Sequence, residues 1–223
     1  MNTYIIMVKQ KYLALVDCDS FFVSCEQKRN TNLKGQPVCV LSNNDGCVIS
    51  RSKEAKKMGI KMGEPFFMAK KDHPKAIYIT ADHEYYKEVS NHIMSILKNF
   101  SPFVQIYSID EAFIDLTGLT RLYKRNYYKL AKHLRSKILE EVDIPVSIGV
   151  SSTKTLSKLA SDKAKNISDG IYLIGKQKIK KELRHTNIEE IWGIGRRLTK
   201  NLKRHGVLTA EELVEKTDKW IDS

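Results

Sequence analysis

The sequence predicts an α+β fold. Three observations lead there. Short apolar runs of strand length recur along the chain. Longer stretches between them repeat their apolar residues every three to four positions. Clusters of Asn, Asp, Gly and Pro punctuate the two kinds of segment. No internal repeat is visible.

The elements follow in order. Leu13-Ala14-Leu15-Val16 is a short apolar run, read as a buried strand, and Asp19 or Ser20 caps a helix running to about Lys28. Pro37 to Leu41 and Cys47 to Ser50 read as strands around the turn Asn43-Asn44-Asp45-Gly46. Ser52 to Met58 is a short helix stopped by Gly59. Gly63, Glu64 and Pro65 mark a loop, and Ala76 to Thr80 is a strand. Asp82 to Phe100 is the strongest helix, because Tyr86, Val89, Ile93, Leu97 and Phe100 share one face. Phe103 to Leu116 reads as two strands with a tight turn near Asp110. Tyr123, Tyr127, Leu130, Leu134 and Ile138 make a second helical stripe. A strand over Pro145–Val150, a helix over Leu156–Ala164 and a strand over Gly170–Ile174 follow, and the remainder reads as helical and basic.

Composition narrows the class of function. With 42% hydrophobic and 29% charged residues, the 223-residue chain is neither disordered nor collagen-like, and it is long enough to bury a sizeable core. No apolar run reaches the roughly 18 residues of a membrane span. The run Tyr4-Ile5-Ile6-Met7-Val8 falls short of a secretory core of about 7–15 residues, so a cytoplasmic location is expected. The formal net charge is +12, and residues 151–206 hold 14 basic against 5 acidic side chains. A basic surface so concentrated points to a polyanion, although a solvated lysine-rich face reads the same way. Cys18, Cys25, Cys39 and Cys47 lack C-x-x-C spacing and a companion His cluster. They read as reduced core residues and not as a zinc site.

Three groups of residues are candidates for chemistry. Asp17 closes the first strand, and Ser108-Ile109-Asp110-Glu111 places adjacent carboxylates where two apolar strands meet. A carboxylate at the end of a buried strand is costly unless neutralised, and Mg²⁺ takes such hard oxygen donors. Asp110 and Glu111 point to opposite faces of a straight strand, so a shared site needs a turn or bulge there. Capping by Asp17 and Asp19, with a polar hairpin at Asp110-Glu111, is the alternative. The second group is basic: Lys154, Lys158, Lys163 and Lys165 in one segment, Arg51, Lys53, Lys56, Lys57 and Lys61 in another, all suited to phosphates or to a wet helix face. The third is Ile191-Trp192-Gly193-Ile194-Gly195-Arg196-Arg197, a helix-hairpin-helix pattern whose glycines admit a phosphate to backbone amides. Two further matches are discarded. Gly170 to Lys176 has P-loop spacing, but Gln177 replaces the hydroxyl residue. Ser151-Ser152-Thr153-Lys154 has no companion motif.

Together these residues resemble the Y-family translesion DNA polymerases. Leu15-Val16-Asp17-Cys18-Asp19-Ser20-Phe21-Phe22 through Glu26 is similar to their opening motif, Ser108 to Phe113 to their second acidic motif, and Val150-Ser151-Ser152 through Lys158-Leu159-Ala160-Ser161 to Lys165 to a third. Leu41 to Ser52 resembles the branch of DNA polymerase V catalytic subunits, and the likeness covers nearly the whole chain. The resemblance implies a right-hand fold with a palm over 1–20 and 78–172, fingers over 21–77 and a thumb over 173–223. It implies template-directed synthesis past lesions, as in SOS mutagenesis, by two-metal nucleotidyl transfer from a dNTP to a primer 3′-hydroxyl. Asp17, Asp110 and Glu111, with the Cys18 backbone carbonyl, match the ligands of two Mg²⁺ ions. Phe22 matches the steric gate over the sugar, with Phe21 beside it turned to the core. Ser50, Lys53, Lys56 and Lys165 match the triphosphate region, where relatives carry Tyr at position 53 and Arg at 56. Lys158, Gly193, Ile194, Gly195, Arg196 and Arg197 match DNA-backbone contacts.

The expected partners are primer–template DNA and a dNTP, with no membrane. The family's sliding clamp, processed accessory subunit and recombinase filament engage a tail this chain lacks. Stopping at Ser223, before the little-finger domain, the chain reads as an N-terminal fragment. A DNA-binding or regulatory fragment without activity, or a metal-dependent nuclease, are the rival readings. An intact acid triad disfavours the first, and a gate aromatic beside an acid disfavours the second.

Overall fold

The computed structural model describes residues 11–123 and 126–221. The Tyr4–Val8 run and the last two residues of the expected thumb lie outside them. The chain divides into two compact units, one of Asp17–Ala112 with His133–Val146, the other of the residues up to Val16 with Phe113–Lys132 and Ser147 onward.

The elements in chain order are β1 (Leu13–Cys18), α1 (Phe21–Arg29), β2 (Val38–Leu41), β3 (Val48–Arg51), α2 (Lys53–Lys57), α3 (Phe66–Asp72), β4 (Ile77–Thr80), α4 (His83–Phe100), β5 (Val104–Ile106) and β6 (Glu111–Asp115). They continue with α5 (Tyr127–Val142), β7 (Val146–Ser151), α6 (Lys154–Ala164), β8 (Ile171–Leu173), α7 (Ile179–Arg184), α8 (Arg196–Arg204), α9 (Ala210–Val214) and α10 (Asp218–Ile221). Two sheets form, one in the order β5-β6-β1-β7-β8, the other β3-β2-β4. The α+β expectation holds. The division between the units runs through β1, β6 and β7.

In the unit built on Asp17–Ala112, β2 pairs antiparallel with β3 and parallel with β4, from Val38 opposite Ile77 to Leu41 opposite Thr80. Cys39, Leu41, Val48, Ala55, Ile60 and Ala69 close a core beneath this small sheet. Ser52 starts α2 by accepting the Ala55 N–H at 3.1 Å, and Gly59 stops it at φ +92°, a conformation that suits a residue without Cβ. Asp82 caps α4 through the Tyr85 N–H at 3.1 Å. Tyr86, Val89, Ile93 and Leu97 are buried as the periodicity predicts, each contributing roughly 1.5–3 kcal/mol by leaving water.

In the other unit, β7 is buried along its whole length and runs parallel to β8, from Ile148 opposite Ile171 to Val150 opposite Leu173. Helix α6 lies so close to β7 that a Cβ on Gly149 would stand 2.0 Å from the Ser161 backbone nitrogen. Beyond β8, Ile188, Leu202 and Val207 form a separate small core with Ile194, Leu213 and Trp220 packed against it.

Some elements depart from the sequence reading. Helix α3 stands in a stretch, between the 63–65 loop and the strand from Ala76, for which the sequence reading named no element. It is one short stretch after Pro65, anchored by buried Ala69, and shows no repeating stripe. Tyr123 falls in a 3₁₀ turn, Leu119–Tyr123, because the Asn126 side chain accepts the Lys129 N–H at 3.1 Å and starts α5 at Tyr127. Ser20 stands at the head of α1 but does not cap it with its side chain. All four cysteines are free, as expected, with Cys47 half-buried and the others buried. Burial pushes the Cys39 thiol up to about 11.

Candidate active site

The acidic segments come together because β1 and β6 are neighbours in one sheet. The Cys18 N–H donates to the Asp110 carbonyl at 2.9 Å, and the Asp19 N–H to the Pro145 carbonyl at 2.9 Å. The end of β1 is thereby tied on both sides. Asp17, at the end of the apolar run, is 4% exposed. Asp110 lies in a bend just before β6, and the Tyr107 and Ser108 N–H groups both donate to the Glu111 carbonyl, at 2.9 and 3.1 Å. The backbone therefore turns where a straight strand would have parted the two acids. Ser108 Oγ donates to Asp110 Oδ1 at 2.6 Å and accepts the Asp110 N–H at 3.3 Å, and Ser90 Oγ donates to the Ile109 carbonyl at 2.5 Å.

Electrostatics report the same cluster. The Cys18 thiol is pushed well above its ordinary value, first by burial, then by the charges of Asp110, Asp17, Cys25 and Asp19. It stays protonated and is no nucleophile at neutral pH. Among the described residues no three His, Cys, Asp or Glu side chains converge closely enough to hold a metal ion as they stand. The donor chemistry nevertheless fits a hard cation. The charges of Asp110, Asp17 and Asp19 all bear on the Cys18 thiol, so several hard oxygen donors gather at one strand end.

The turn from β1 into α1 carries the next residues. Ser20 sits in the left-handed region at φ +46°, strained for a residue with a side chain. Lys56 Nζ donates to Ser20 Oγ at 3.1 Å, and Ser24 Oγ to the Asp19 carbonyl at 2.6 Å. Ser50 is 4% exposed, its hydroxyl accepting the Val23 N–H at 3.4 Å, which pins β3 to the start of α1. Lys53 is exposed at the head of α2. Phe21 is buried in the core, as expected. Phe22 is half-buried, its ring stacked on Tyr86 at 4.8 Å between centroids.

The remaining predicted residues belong to the other unit. Lys158 and Lys165 both pair with Asp162, at 3.5 and 3.2 Å. Lys163, grouped with them in the sequence, is tied to Glu182, which also accepts from Tyr172 at 2.7 Å. The glycine hairpin is built from a 3₁₀ turn, Ile188–Glu190, and not from a full first helix: a capping box between Asn187 and Glu190 starts the turn, and extended backbone at Ile191 ends it. Gly193 takes φ +94°, Gly195 heads α8, and Ile194 faces the small core. Arg196 and Arg197 are exposed, and among the described residues they form no ion pair.

Sequence reasoning assigned no site role to Tyr86 or Glu26. The signal was available in the spacing of Phe22 and Glu26, one turn apart on the same face of α1.

The fold and these strand-end acids define a Y-family polymerase core. The structure superposes on an insertion ternary complex of Dbh DNA polymerase with a TM-score of 0.84 and 30% identity, over 95% of this chain and 62% of that one. DinB from Sulfolobus solfataricus matches with a TM-score of 0.82 and 30% identity, over 95% and 62%. The impB/mucB/samB family model matches residues 16–162, and the chain belongs to that family. Protein UmuC of Salmonella typhimurium is 40% identical over 214 residues, 93% of this chain and 50% of the relative. DNA polymerase IV of Saccharolobus solfataricus is 38% identical over 197 residues, 86% and 55%. The chain thus spans about half the length of the curated relatives it matches, and the match does not reach a little-finger domain. No helix among the described residues is long and apolar enough to cross a membrane.

Proposed function

We propose that this chain is the catalytic core of a translesion DNA polymerase, joining a dNTP to a primer 3′-hydroxyl on a template strand in the cytoplasm. The observation that carries the reading is the Cys18 to Asp110 backbone bond, which sets two acidic motifs side by side at one strand end. Asp17, Asp110 and Glu111, with the Cys18 carbonyl, would hold two Mg²⁺ ions, which when bound stabilise the attacking and leaving oxygens. Asp17 is itself 4% exposed, which limits water at its carboxylate and strengthens its field. Ser108 orients the Asp110 carboxylate, and the Ser20–Lys56 contact holds a cation next to the acidic turn, suited to triphosphate oxygens. Lys53 and the buried Ser50 are further proposed nucleotide-binding residues of the same unit as Asp17 and Asp110, and Lys165 is a triphosphate-binding residue proposed in the other. Palm, fingers and thumb are assigned to 1–20 with 78–172, 21–77 and 173–223. Primer extension with Mg²⁺ on undamaged and abasic templates tests the reading. Binding to primer–template without any extension would favour a DNA-binding module, and strand cleavage a nuclease.

Phe22 is the proposed gate. Phe22→Ala should raise ribonucleotide over deoxyribonucleotide kcat/KM by at least about tenfold, since the discrimination is steric. An unmoved ratio in a folded variant would leave Phe22 as packing alone.

The glycine hairpin is the proposed helix-hairpin-helix clamp on DNA phosphates, with Lys158, Arg196 and Arg197 supplying charge. Binding should be indifferent to sequence and should weaken with salt at a log–log slope of about −0.9 per phosphate neutralised. Arg196→Ala should flatten that slope by about one unit. Gly195→Ala offers a cleaner probe of backbone approach, because its φ of −83° suits any residue and no atom lies within 4 Å of the added Cβ. It should weaken binding while leaving the slope intact. Salt-insensitive or sequence-selective binding in a titration on two unrelated duplexes would defeat the clamp.

A further inference from the structure

We infer that Tyr86, anchored on Glu26, is the positioning residue that fixes the ring of Phe22 and so sets the sharpness of sugar selection. The functional half rests on the gate reading above. The structural half stands on its own geometry.

Phe22, Glu26 and Arg29 lie at i, i+4 and i+7 on α1, one stripe along a single face. The first two turns of α4 meet that stripe. Tyr86 stacks on Phe22 with centroids 4.8 Å apart and planes inclined by 19°, and its hydroxyl donates to Glu26 Oε1 at 2.7 Å. Tyr86 is fully buried and Glu26 is 5% exposed, so this bond is formed away from water. The Tyr86 side chain therefore touches α1 twice, once at the ring it supports and once a turn further along. The His83 ring stands edge-on to Phe22 at 5.9 Å and to Tyr86 at 6.1 Å. The contact is locked at its far end, where Arg29 Nη2 binds Asp82 Oδ2 at 2.7 Å and its guanidinium lies 3.9 Å over Tyr85.

A half-exposed Phe at the second position of a helix would ordinarily sample several rotamers. Here the stacked partner removes that freedom, and the partner is itself held by a buried carboxylate. A steric filter is only as sharp as its wall is fixed, since displacements of about 1 Å change reactivity markedly. Under ordinary core packing the Tyr86 hydroxyl bond only satisfies a buried donor, and its loss would leave the Phe22 ring and the sugar ratio unmoved; on this point the two accounts differ.

The experiment uses the full chain with Tyr86→Phe, Glu26→Ala, Glu26→Gln and Phe22→Ala, each first shown to be folded by circular dichroism. The first readout is the NMR shift of the Phe22 ring protons, displaced upfield by the stacked Tyr86 ring; it needs no turnover. Glu26→Ala and Tyr86→Phe should move these resonances toward free phenylalanine, while Glu26→Gln, which keeps an acceptor, should restore them. The second readout is the ribonucleotide to deoxyribonucleotide ratio of kcat/KM. It should rise roughly two- to tenfold in Tyr86→Phe and Glu26→Ala, the range one buried hydrogen bond supports, and return in Glu26→Gln. Ring shifts unchanged in both Tyr86→Phe and Glu26→Ala would overturn the inference. So would an unchanged ratio in those variants where Phe22→Ala relaxes it. If Phe22→Ala itself leaves the ratio unmoved, the gate reading fails, and the ring shifts still decide whether Tyr86 positions Phe22.

Discussion

Asp17→Asn and Asp110→Asn should each reduce nucleotide incorporation by at least about a hundredfold, the loss expected when one preorganised charge is removed from a reacting centre. The substitution keeps the shape. An Asn Oδ1 in place of Asp110 still accepts from Ser108 Oγ, so the turn before β6 persists. The charge is lost, and one acceptor oxygen becomes an amide donor. The folded chain without cation crowds several acids around Cys18, and deleting one relieves that repulsion. Tm in the absence of Mg²⁺ should therefore hold or rise slightly. The rise in Tm on adding Mg²⁺, which the parent should show by binding linkage, should shrink in both variants. Full incorporation by either variant, in an active parent background, would remove that residue from the site. Unfolding of both would return the carboxylates to a structural role.

Gly149→Ala should be strongly destabilising. The new Cβ would stand 2.0 Å from Ser161 N, 2.3 Å from the Ser157 carbonyl oxygen and 2.6 Å from the Ala160 carbonyl carbon, all backbone atoms of α6. A flexible side chain could swing aside, but a helix backbone cannot. Moving α6 would also break the Ser157 Oγ bond to the Leu13 carbonyl at 2.9 Å and the Ser161 Oγ bond to the Ser147 carbonyl at 3.3 Å. A cost of about 3 kcal/mol or more follows from overpacking without relief, with a fall in Tm on the order of 10 °C for a chain of this size. Thermal denaturation monitored at 222 nm measures it, with Gly195→Ala as the control that should fold normally. An unchanged Tm for Gly149→Ala would show that α6 does not seat against β7 as described.

What the sequence disclosed, and what it hid, has a physical pattern. Asp17 was legible because an apolar run ends on it, and Ser108–Glu111 because polar residues interrupt two such runs. Helix α4 was legible because five apolar residues repeat on one face. Short elements were not. Helix α3 has too few turns to show a period, and the first arm of the glycine hairpin is one 3₁₀ turn that extended backbone at Ile191 ends. Side chains whose partners lie far along the chain were the least legible. Lys163 reads as one more basic residue until Glu182 claims it, and Ser50 reads as the last residue of a strand until the Val23 N–H finds it. Tyr86 reads as core, which it is, but its hydroxyl and ring face carry a second duty that periodicity cannot express.

The bonds that close the site also set when it can exist. Cys18 finds its partner in Asp110, and Asp19 in Pro145. As the chain emerges from the ribosome, the opening acid must wait for nearly half of the chain before the second acidic segment appears, and longer for Pro145. Until then the apolar β1 has neither flanking strand and the acids are only solvated side chains on a loose strand. Pairings so distant in sequence close slowly, because the entropy of the intervening loop is lost before any contact rewards it. The centre is thus assembled late, after the local β2–β3 hairpin and α4 have had time to form, and no nascent chain shorter than Pro145 can carry it complete.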